Sequence, residues 1–178
     1  LSNTTGSYTS CLGVHPSNLV APLGEDYDSD DLKYSADNTL YRYLFLNDSI
    51  RDNVAEMSTF YTDLSGSSHY DFMQIEGALY EGDLNEARSL NTGITATNTI
   101  ETNYKTYYTL YANYADSSFR HTTADDSTDL YNLAQLCPNT NGSVIYQARA
   151  LYITVYAMVI DYEDCQEDGS ERNMNLTL

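Results

Sequence analysis

Apolar residues recur three and four positions apart from residue 37 onward, which is the spacing of helices that bury one face. The recurring positions fall into about seven segments, which begin near residues 40, 50, 68, 84, 98, 124 and 144, and the last ends near residue 162. No β-hairpin pattern with alternating flanks occurs after residue 37. We therefore predict an all-α fold of about seven helices that pack as antiparallel helical hairpins through short loops.

The segment GALYEGDLNEARSL, residues 77–90, resembles the helix-turn-helix junction of a tetratricopeptide unit, with Gly82 and Asp83 as the turn. Tetratricopeptide repeats recur with a period of about 34 residues, and no other segment of the chain repeats this pattern at that distance. The predicted architecture is therefore either tetratricopeptide-like or an irregular helical bundle.

Composition divides the chain into three parts. Residues 1–36 are rich in Gly, Pro and Asp, a composition that favours loops over helices. We predict a loop-rich acidic leader over residues 1–36, a helical domain over residues 37–162 and a polar C-terminal tail over residues 163–178.

The predicted helix that starts near residue 98 carries an apolar stripe made mostly of tyrosine. The chain has 18 Tyr and no Trp, so much of its aromatic core must use rings whose hydroxyls need water or a hydrogen-bond partner. We predict that the stripe is a core face, with a binding stripe as the alternative. Its residues are Ile100, Tyr104, Tyr107, Tyr108, Tyr111 and Tyr114.

Charge excludes one class of partner. The formal net charge is -18 and the chain has only eight Lys and Arg residues, so no basic surface is available to replace the counterions of a phosphate backbone. We predict no nucleic-acid partner. We also predict no membrane span, because no run of apolar residues approaches the length of about 18 that a spanning helix needs.

An acidic run near the start of the helical region has the spacing of a calcium loop. Asp26, Asp28 and Asp30 alternate, and Asp37 lies eleven positions after Asp26, as ligands do in an EF-hand. The sixth position holds Asp31 where the turn requires Gly, and Asp37 is shorter than the usual Glu. Two interpretations follow: a weak calcium site, or a solvated charge run in which Asp37 caps the next helix.

Three cysteines, Cys11, Cys137 and Cys165, allow one disulfide and one thiol, which is more natural outside the cytosol. Cys137 and Cys165 flank the last predicted helix. If that helix ran straight from residue 143 to residue 162, it would be about 30 Å long, and the three residues after it could not return to Cys137. This pairing therefore requires the helix to break; otherwise Cys11 is the partner, or the thiols are free.

Catalytic motifs are absent from the sequence. His15, His69 and His121 lack the spacing of a zinc site and are predicted to be surface or capping residues, and no G-x-S-x-G or glycine-rich phosphate loop occurs. Any two of the 26 Asp and Glu residues could lie close together, so acidic pairs predict nothing specific. We predict no enzyme activity and no cofactor, with calcium as the weak alternative.

Glycosylation is predicted only weakly from the residues. Asn3, Asn47, Asn141 and Asn175 begin N-x-[ST] sequons, which polar sequences also generate by chance.

Three segments together resemble a known family region. They are GALYEGDLNEARSLNTGITATNTIETNYKTYYTLY, LYNLAQLCPNTNGSVIYQARALY and DYEDCQEDGSERN, with Cys137-Pro138, VIYQARAL and Cys165 as the most specific parts. In this order, over about residues 40 to 172, they resemble the helical region that precedes the C-terminal sorting domain in proteins exported by the type IX secretion system of Bacteroidota. The chain is then expected to be a mature piece or an excerpt of a longer polypeptide.

The resemblance implies an extracellular or cell-surface location. It also implies O-glycosylation at Ser49 and Ser127, in Asp48-Ser49-Ile50 and Asp126-Ser127-Thr128, although both serines equally suit helix caps. We expect a non-catalytic module that contacts other proteins or assembles with itself, since tyrosine suits interfaces. The alternative is a carbohydrate- or calcium-binding accessory module of an exported hydrolase, in which a surface glycan is the partner.

Overall fold

The computed structural model describes residues 30–119 and 123–158. Within these ranges every regular element is a helix, which confirms the all-α prediction. The described elements are nine helices: α1 (Asp30–Leu46), α2 (Asp48–Asn53), α3 (Ala55–Leu64), α4 (Ser68–Glu81), α5 (Leu84–Gly93), α6 (Thr99–Asp116), α7 (Ala124–Gln135), α8 (Pro138–Asn141) and α9 (Val144–Tyr156).

Two local features raise the helix number above the seven predicted from the sequence. The segment predicted as one helix from residue 50 is divided at Val54, whose φ of -118° and ψ of 111° are extended. Between the helices predicted from residues 124 and 144, the chain forms the further single helical turn α8, which begins at Pro138. Proline suits this first helical position because its φ is already helical and the missing N–H would have no partner there.

The observed helix ends shift two predicted boundaries. Helix α1 begins at Asp30 and not near residue 37, so the helical region starts inside the predicted leader. Within this helix Lys33 pairs with Asp37 one turn on, at 2.5 Å. Helix α9 ends at Tyr156 and not near residue 162, and Ala157 follows in the left-handed conformation with φ of 52°. The predicted polar tail lies outside the described residues.

The buried residues form two clusters. The larger cluster is built mainly from helices α4 to α7 and α9, and the smaller one consists of Leu40 and Leu44 of α1 with Met57 of α3. Helix α4 packs on α5, α5 on α6, and α7 on α9. Helix α1 contacts α2, α3, α4 and α8, so it lies against the larger cluster as well as the smaller one.

Tyrosine hydroxyls inside the larger cluster pair with each other and with small polar groups. Tyr104 is 1 % exposed, and its hydroxyl accepts from Asn38 Nδ2 at 2.9 Å and lies 3.0 Å from Ser143 Oγ. The Tyr114 and Tyr156 hydroxyls are 2.5 Å apart. The predicted stripe of α6 is therefore mainly a core face, with Tyr111 half-buried at its edge.

Two hydrogen bonds from Arg149 join α9 to the end of α7, next to Cys137. Arg149 of α9 donates from Nε to the Ala134 carbonyl at 3.0 Å and from Nη2 to the Leu136 carbonyl at 2.9 Å. These carbonyls end α7 and have no partner within their own helix. Arg149 therefore lies in an otherwise apolar helix because it satisfies the end of its neighbour.

Candidate functional site

A groove lined by tyrosine lies where α4, α6 and α9 meet. Its volume is about 290 Å³, close to the lower end of the range of ligand pockets, which is roughly 300 Å³. Helix α4 contributes one carboxylate, one leucine and one tyrosine, α6 contributes three tyrosines, and α9 contributes an amide. The lining residues are Glu76, Leu79, Tyr80, Tyr107, Tyr108, Tyr111 and Gln147.

Helical spacing explains why these side chains share one surface. Glu76 is followed by Tyr80 four positions later, and Tyr107 by Tyr111 at the same interval, so each pair lies on one face of its helix. The Phe72 and Tyr108 rings contact each other across the helices at a tilt of 36°, with ring centroids 5.8 Å apart. The packing of α4 against α6 thus places the two faces side by side.

The tyrosine rings differ sharply in exposure. Tyr107 and Tyr108 are 8 % and 3 % exposed, whereas Tyr80 is 95 % exposed at the rim. The Tyr107 ring lies 5.4 Å from the Tyr108 ring in an edge-on arrangement and 5.9 Å from the Tyr111 ring at a tilt, and both arrangements suit aromatic pairs. The groove therefore has a fixed aromatic wall and one projecting ring.

Glu76 is held in a fixed orientation in this wall. Arg42 of α1 donates from Nη1 to Oε2 and from Nη2 to Oε1, both at 2.6 Å, and the Tyr108 hydroxyl donates to Oε1. The Arg42 and Glu76 side chains are 28 % and 29 % exposed. A bidentate guanidinium fixes both the position and the plane of a carboxylate.

The same hydrogen bonds continue into α1 and α9. Arg42 Nε donates to Asn38 Oδ1 at 3.3 Å, and Asn38 donates in turn to the Tyr104 hydroxyl, which meets Ser143 Oγ. The orientation of Glu76 therefore depends on how α1 lies against the larger cluster.

The protonation state of the groove is set by burial. Burial raises the pKa of Tyr107 and of Tyr108 above the ordinary phenol value, and the carboxylate of Glu76 adds to the rise at Tyr108. Burial acts to lower the pKa of Arg42, but the hydrogen bonds and charge of Glu76 outweigh it and raise this pKa. Tyr107 and Tyr108 therefore stay neutral phenols at physiological pH, beside the ion pair of Arg42 and Glu76.

A second groove, of about 490 Å³, lies between α6 and α7. Lys105 lines it, but its ammonium donates to the Ile94 carbonyl and so holds the loop after α5. Asp126 also lines it and accepts from Asn113 at 3.1 Å. Its polar groups therefore serve the structure around it.

The residues of the predicted calcium loop do not form a loop where the structure describes them. Asp30 and Asp37 both lie in α1, two helical turns apart, and Asp37 pairs with Lys33. A calcium loop needs an irregular backbone over these positions. Asp26 and Asp28 lie outside the described residues. In the described ranges, no group of three or more His, Cys, Asp or Glu side chains is placed to hold a metal ion.

Among the cysteines, the described part of the chain contains Cys137. It is disulfide-bonded. Cys11 and Cys165 lie outside the described ranges, so the pairing stays a prediction. Because α9 ends at Tyr156, it is about 20 Å long and not about 30 Å. The eight residues from 157 to 164 could span up to about 28 Å if extended, which is enough to return along the helix. A Cys137–Cys165 pairing is therefore compatible with the length of α9.

The glycosylation candidates differ in their surroundings. Asn47 Nδ2 donates to the Tyr43 carbonyl at 2.7 Å, and Asn141 Nδ2 donates to the Cys137 carbonyl at 3.1 Å. Both amides therefore have structural partners. Ser49 is exposed in the first turn of α2, and Ser127 is half-buried in the first turn of α7. Asn3 and Asn175 lie outside the described residues.

His69, predicted as a surface or capping residue, is buried, so that prediction is wrong. Its ring lies 4.2 Å from the Tyr34 ring, it is 5 % exposed, and its Nδ1 has no hydrogen-bond partner. Burial lowers its pKa to about 4, although Asp37 and Glu101 act in the opposite direction. The ring packs against Tyr34, and among the described residues it belongs to no group of three or more side chains placed to hold a metal ion. His15 and His121 lie outside the described residues.

Sequence reasoning identified the tyrosines of α6 but not Glu76, Tyr80 or Gln147. The one available signal was the i, i+4 spacing of Glu76 and Tyr80, which places an acid and an aromatic ring on one face of α4.

No family model, curated protein or solved structure matches the chain. Among the helices of the described ranges, none combines the length and the apolar character that crossing a membrane requires.

Proposed function

We propose that the chain is a non-catalytic helical module of a secreted or cell-surface protein and that it contacts another protein through the tyrosine-lined groove. The observation that carries this proposal is the combination of a fixed aromatic wall, formed by Tyr107 and Tyr108, with the projecting ring of Tyr80.

This combination supports a protein contact for energetic reasons. Tyrosine supplies a large contact area and loses little conformational entropy when it is held, so it is enriched at interfaces. The wall of the groove is ordered before any partner arrives, because Tyr107 and Tyr108 are buried and Glu76 is held by Arg42. Binding would then cost little further ordering.

The non-catalytic assignment is supported by the state of Glu76. Both of its oxygens already accept hydrogen bonds from Arg42, and one also accepts from Tyr108. A general acid or base must exchange its proton with a substrate, and this ion pair resists that exchange. The arrangement suits a carboxylate that orients a bound group by accepting a hydrogen bond from it.

Export is supported by the disulfide at Cys137, because such bonds persist in oxidising surroundings. The resemblance to proteins exported by the type IX secretion system supports that system as the route of export. We expect the chain on the surface of intact cells or in the medium, and immunodetection before and after protease treatment of intact cells tests this. Chain that protease reaches only after lysis would contradict it.

A carbohydrate-binding accessory module is the second candidate. The observation that favours it is the open tyrosine surface beside Glu76 and Gln147, which offers hydrogen bonds to hydroxyl groups. The calcium-binding version of this alternative gains no support from α1, because residues 30–37 are helical.

A peptide-display selection on the folded protein tests the proposal against this alternative. Retained peptides are tested on Tyr80→Ala and on the matched control Tyr146→Ala, whose ring is 58 % exposed on α9 outside the groove lining. We expect binding that Tyr80→Ala weakens and Tyr146→Ala leaves unchanged. If no peptide depends on Tyr80 while a glycan array gives Tyr80-dependent binding, the carbohydrate function replaces the proposal.

A further inference from the structure

The groove holds one polar group that only accepts hydrogen bonds, and none of its described lining residues only donates them. Glu76 accepts only, the phenol oxygens of Tyr80, Tyr107 and Tyr111 accept or donate, and Gln147 does both. None of the described residues that line the groove is Lys, Arg or His. Arg42 is the cation held against this lining, and Glu76 already pairs with it, so the described lining residues offer an anionic ligand no unpaired cation.

Glu76 keeps capacity for one more donor. A carboxylate offers about four lone-pair sites, and three are used: two by Arg42 and one by Tyr108. The side chain is 29 % exposed, so the remaining site is open to a ligand. A donor that reaches this site adds a charge-assisted hydrogen bond.

Aromatic faces beside this acceptor favour positive charge. The face of a tyrosine ring is the negative end of its quadrupole and attracts ammonium and guanidinium groups within about 6 Å. The long apolar stem of Lys or Arg also packs well along rings while its charged end reaches outward.

The charge of the whole chain acts in the same direction. A net charge of -18 repels acidic partners and speeds the approach of basic ones, and this effect weakens as salt is added. The negative charge of the chain and the tyrosine rings beside Glu76 thus both favour basic residues in a partner.

We propose that the groove receives a basic side chain, Lys or Arg, of a partner protein, with its stem along the Tyr107 and Tyr80 rings and its charged end near Glu76. This inference rests on the proposed protein-binding function and names the residue class that the groove recognises.

The test uses display-selected peptides that lose binding on Tyr80→Ala. For one such peptide that contains a single arginine, the affinity is compared with that of its citrulline analogue, which keeps the shape of the side chain and loses its charge. For a peptide that contains lysine, the affinity is compared with that of its norleucine analogue. We expect the basic peptide to bind roughly threefold to thirtyfold more tightly, the range that a cation–π contact supports. The difference should shrink with added salt and in Glu76→Gln, and Tyr146→Ala should preserve it.

The outcomes separate this inference from the proposed function. If Tyr80-dependent peptides carry no basic residue, or if citrulline binds as tightly as arginine, the inference is overturned while the protein-binding function stands. If no peptide depends on Tyr80, both are overturned. Far-UV circular dichroism of Glu76→Gln shows whether that variant is folded, and the citrulline comparison on the unaltered chain does not depend on it.

Discussion

His69 is a neutral ring enclosed by charged neighbours. It packs on Tyr34, and the charged groups that act on it are Asp37, Glu101, Lys33 and Arg42. Burial outweighs the two carboxylates, which is why the pKa falls to about 4 from 6.5. The ring is thus a titratable group that the fold keeps uncharged.

This burial makes stability depend on pH. Above pH 6.5 the ring is neutral in both states. Between pH 6.5 and pH 4 the unfolded chain binds a proton that the folded chain does not, so the free energy of unfolding falls as the pH is lowered. We expect a loss of about 3 kcal/mol over this window relative to His69→Phe, measured by urea unfolding. Parallel pH profiles for the two proteins would show that His69 does not titrate in this way.

The Arg42–Glu76 pair fixes the polar side of the groove, and a double-mutant cycle measures its strength. We expect a coupling of about 1–2 kcal/mol between Arg42→Met and Glu76→Gln, because the pair is bidentate and more than two-thirds buried. The pair of Arg88 and Asp116, which is joined by one hydrogen bond and whose side chains are 36 % and 64 % exposed, is the control and should show a coupling well below about 1 kcal/mol. Equal coupling in both cycles would mean that the pair contributes no more than a surface contact.

At the scale of elements, the short helix α8 brings the chain against α6. Gly142 ends α8 with φ of 89°, and a Cβ there would lie 2.7 Å from Ile100 Cγ2. Ile100 is 1 % exposed and has no room to retreat. The junction between α7 and α9 therefore requires glycine at this position.

Two glycine substitutions should act in opposite directions. Gly142→Ala is expected to lower the free energy of unfolding by about 2 kcal/mol or more, from backbone strain and overpacking. Gly77→Ala, inside α4 with open space around its Cβ position, should raise it by roughly 0.5–1 kcal/mol. Thermal or urea unfolding measures both. If Gly142→Ala has no effect, the close approach to Ile100 does not hold in solution.

Helix identity was predictable from periodicity, whereas helix ends were not. The start predicted near residue 98 is an exception: α6 begins at Thr99, and Asn98 Oδ1 accepts from the Glu101 N–H at 2.9 Å. The break at Val54 was not visible, because an extended residue between two helical turns leaves the apolar spacing unchanged. The groove was predictable only in part, since Glu76 acquires its role from Arg42, which is 34 residues away.

At the scale of the whole molecule, a disulfide joins the junction at Cys137 to another part of the chain. Cys165 is the expected partner, because it lies closer in sequence than Cys11 and a shorter loop closes at a lower entropic cost. A peptide map without reductant should link Cys137 to Cys165, and Cys165→Ser should lower the free energy of unfolding by about 3.5 kcal/mol. A link from Cys137 to Cys11 would contradict this pairing.

The groove, which we propose as the site of protein contact, is built from several helices. Its wall depends on three helices and, through Arg42, on a fourth. Loss of the contact between Arg42 of α1 and Glu76 should therefore weaken binding of the partner protein, even though α1 does not line the groove.

The most direct measurement is site-specific photo-crosslinking in the producing cells. A photoreactive phenylalanine analogue replaces Tyr80 in one variant and Tyr146 in a second, and the covalent products are compared after illumination. We expect the analogue at position 80 to form a covalent adduct with one discrete protein, and we expect Gln147→Ala to reduce the yield of this adduct. The analogue at position 146 should form no such adduct. Equal adducts from both positions, or none from position 80, would contradict the claim that the groove is a protein-contact site.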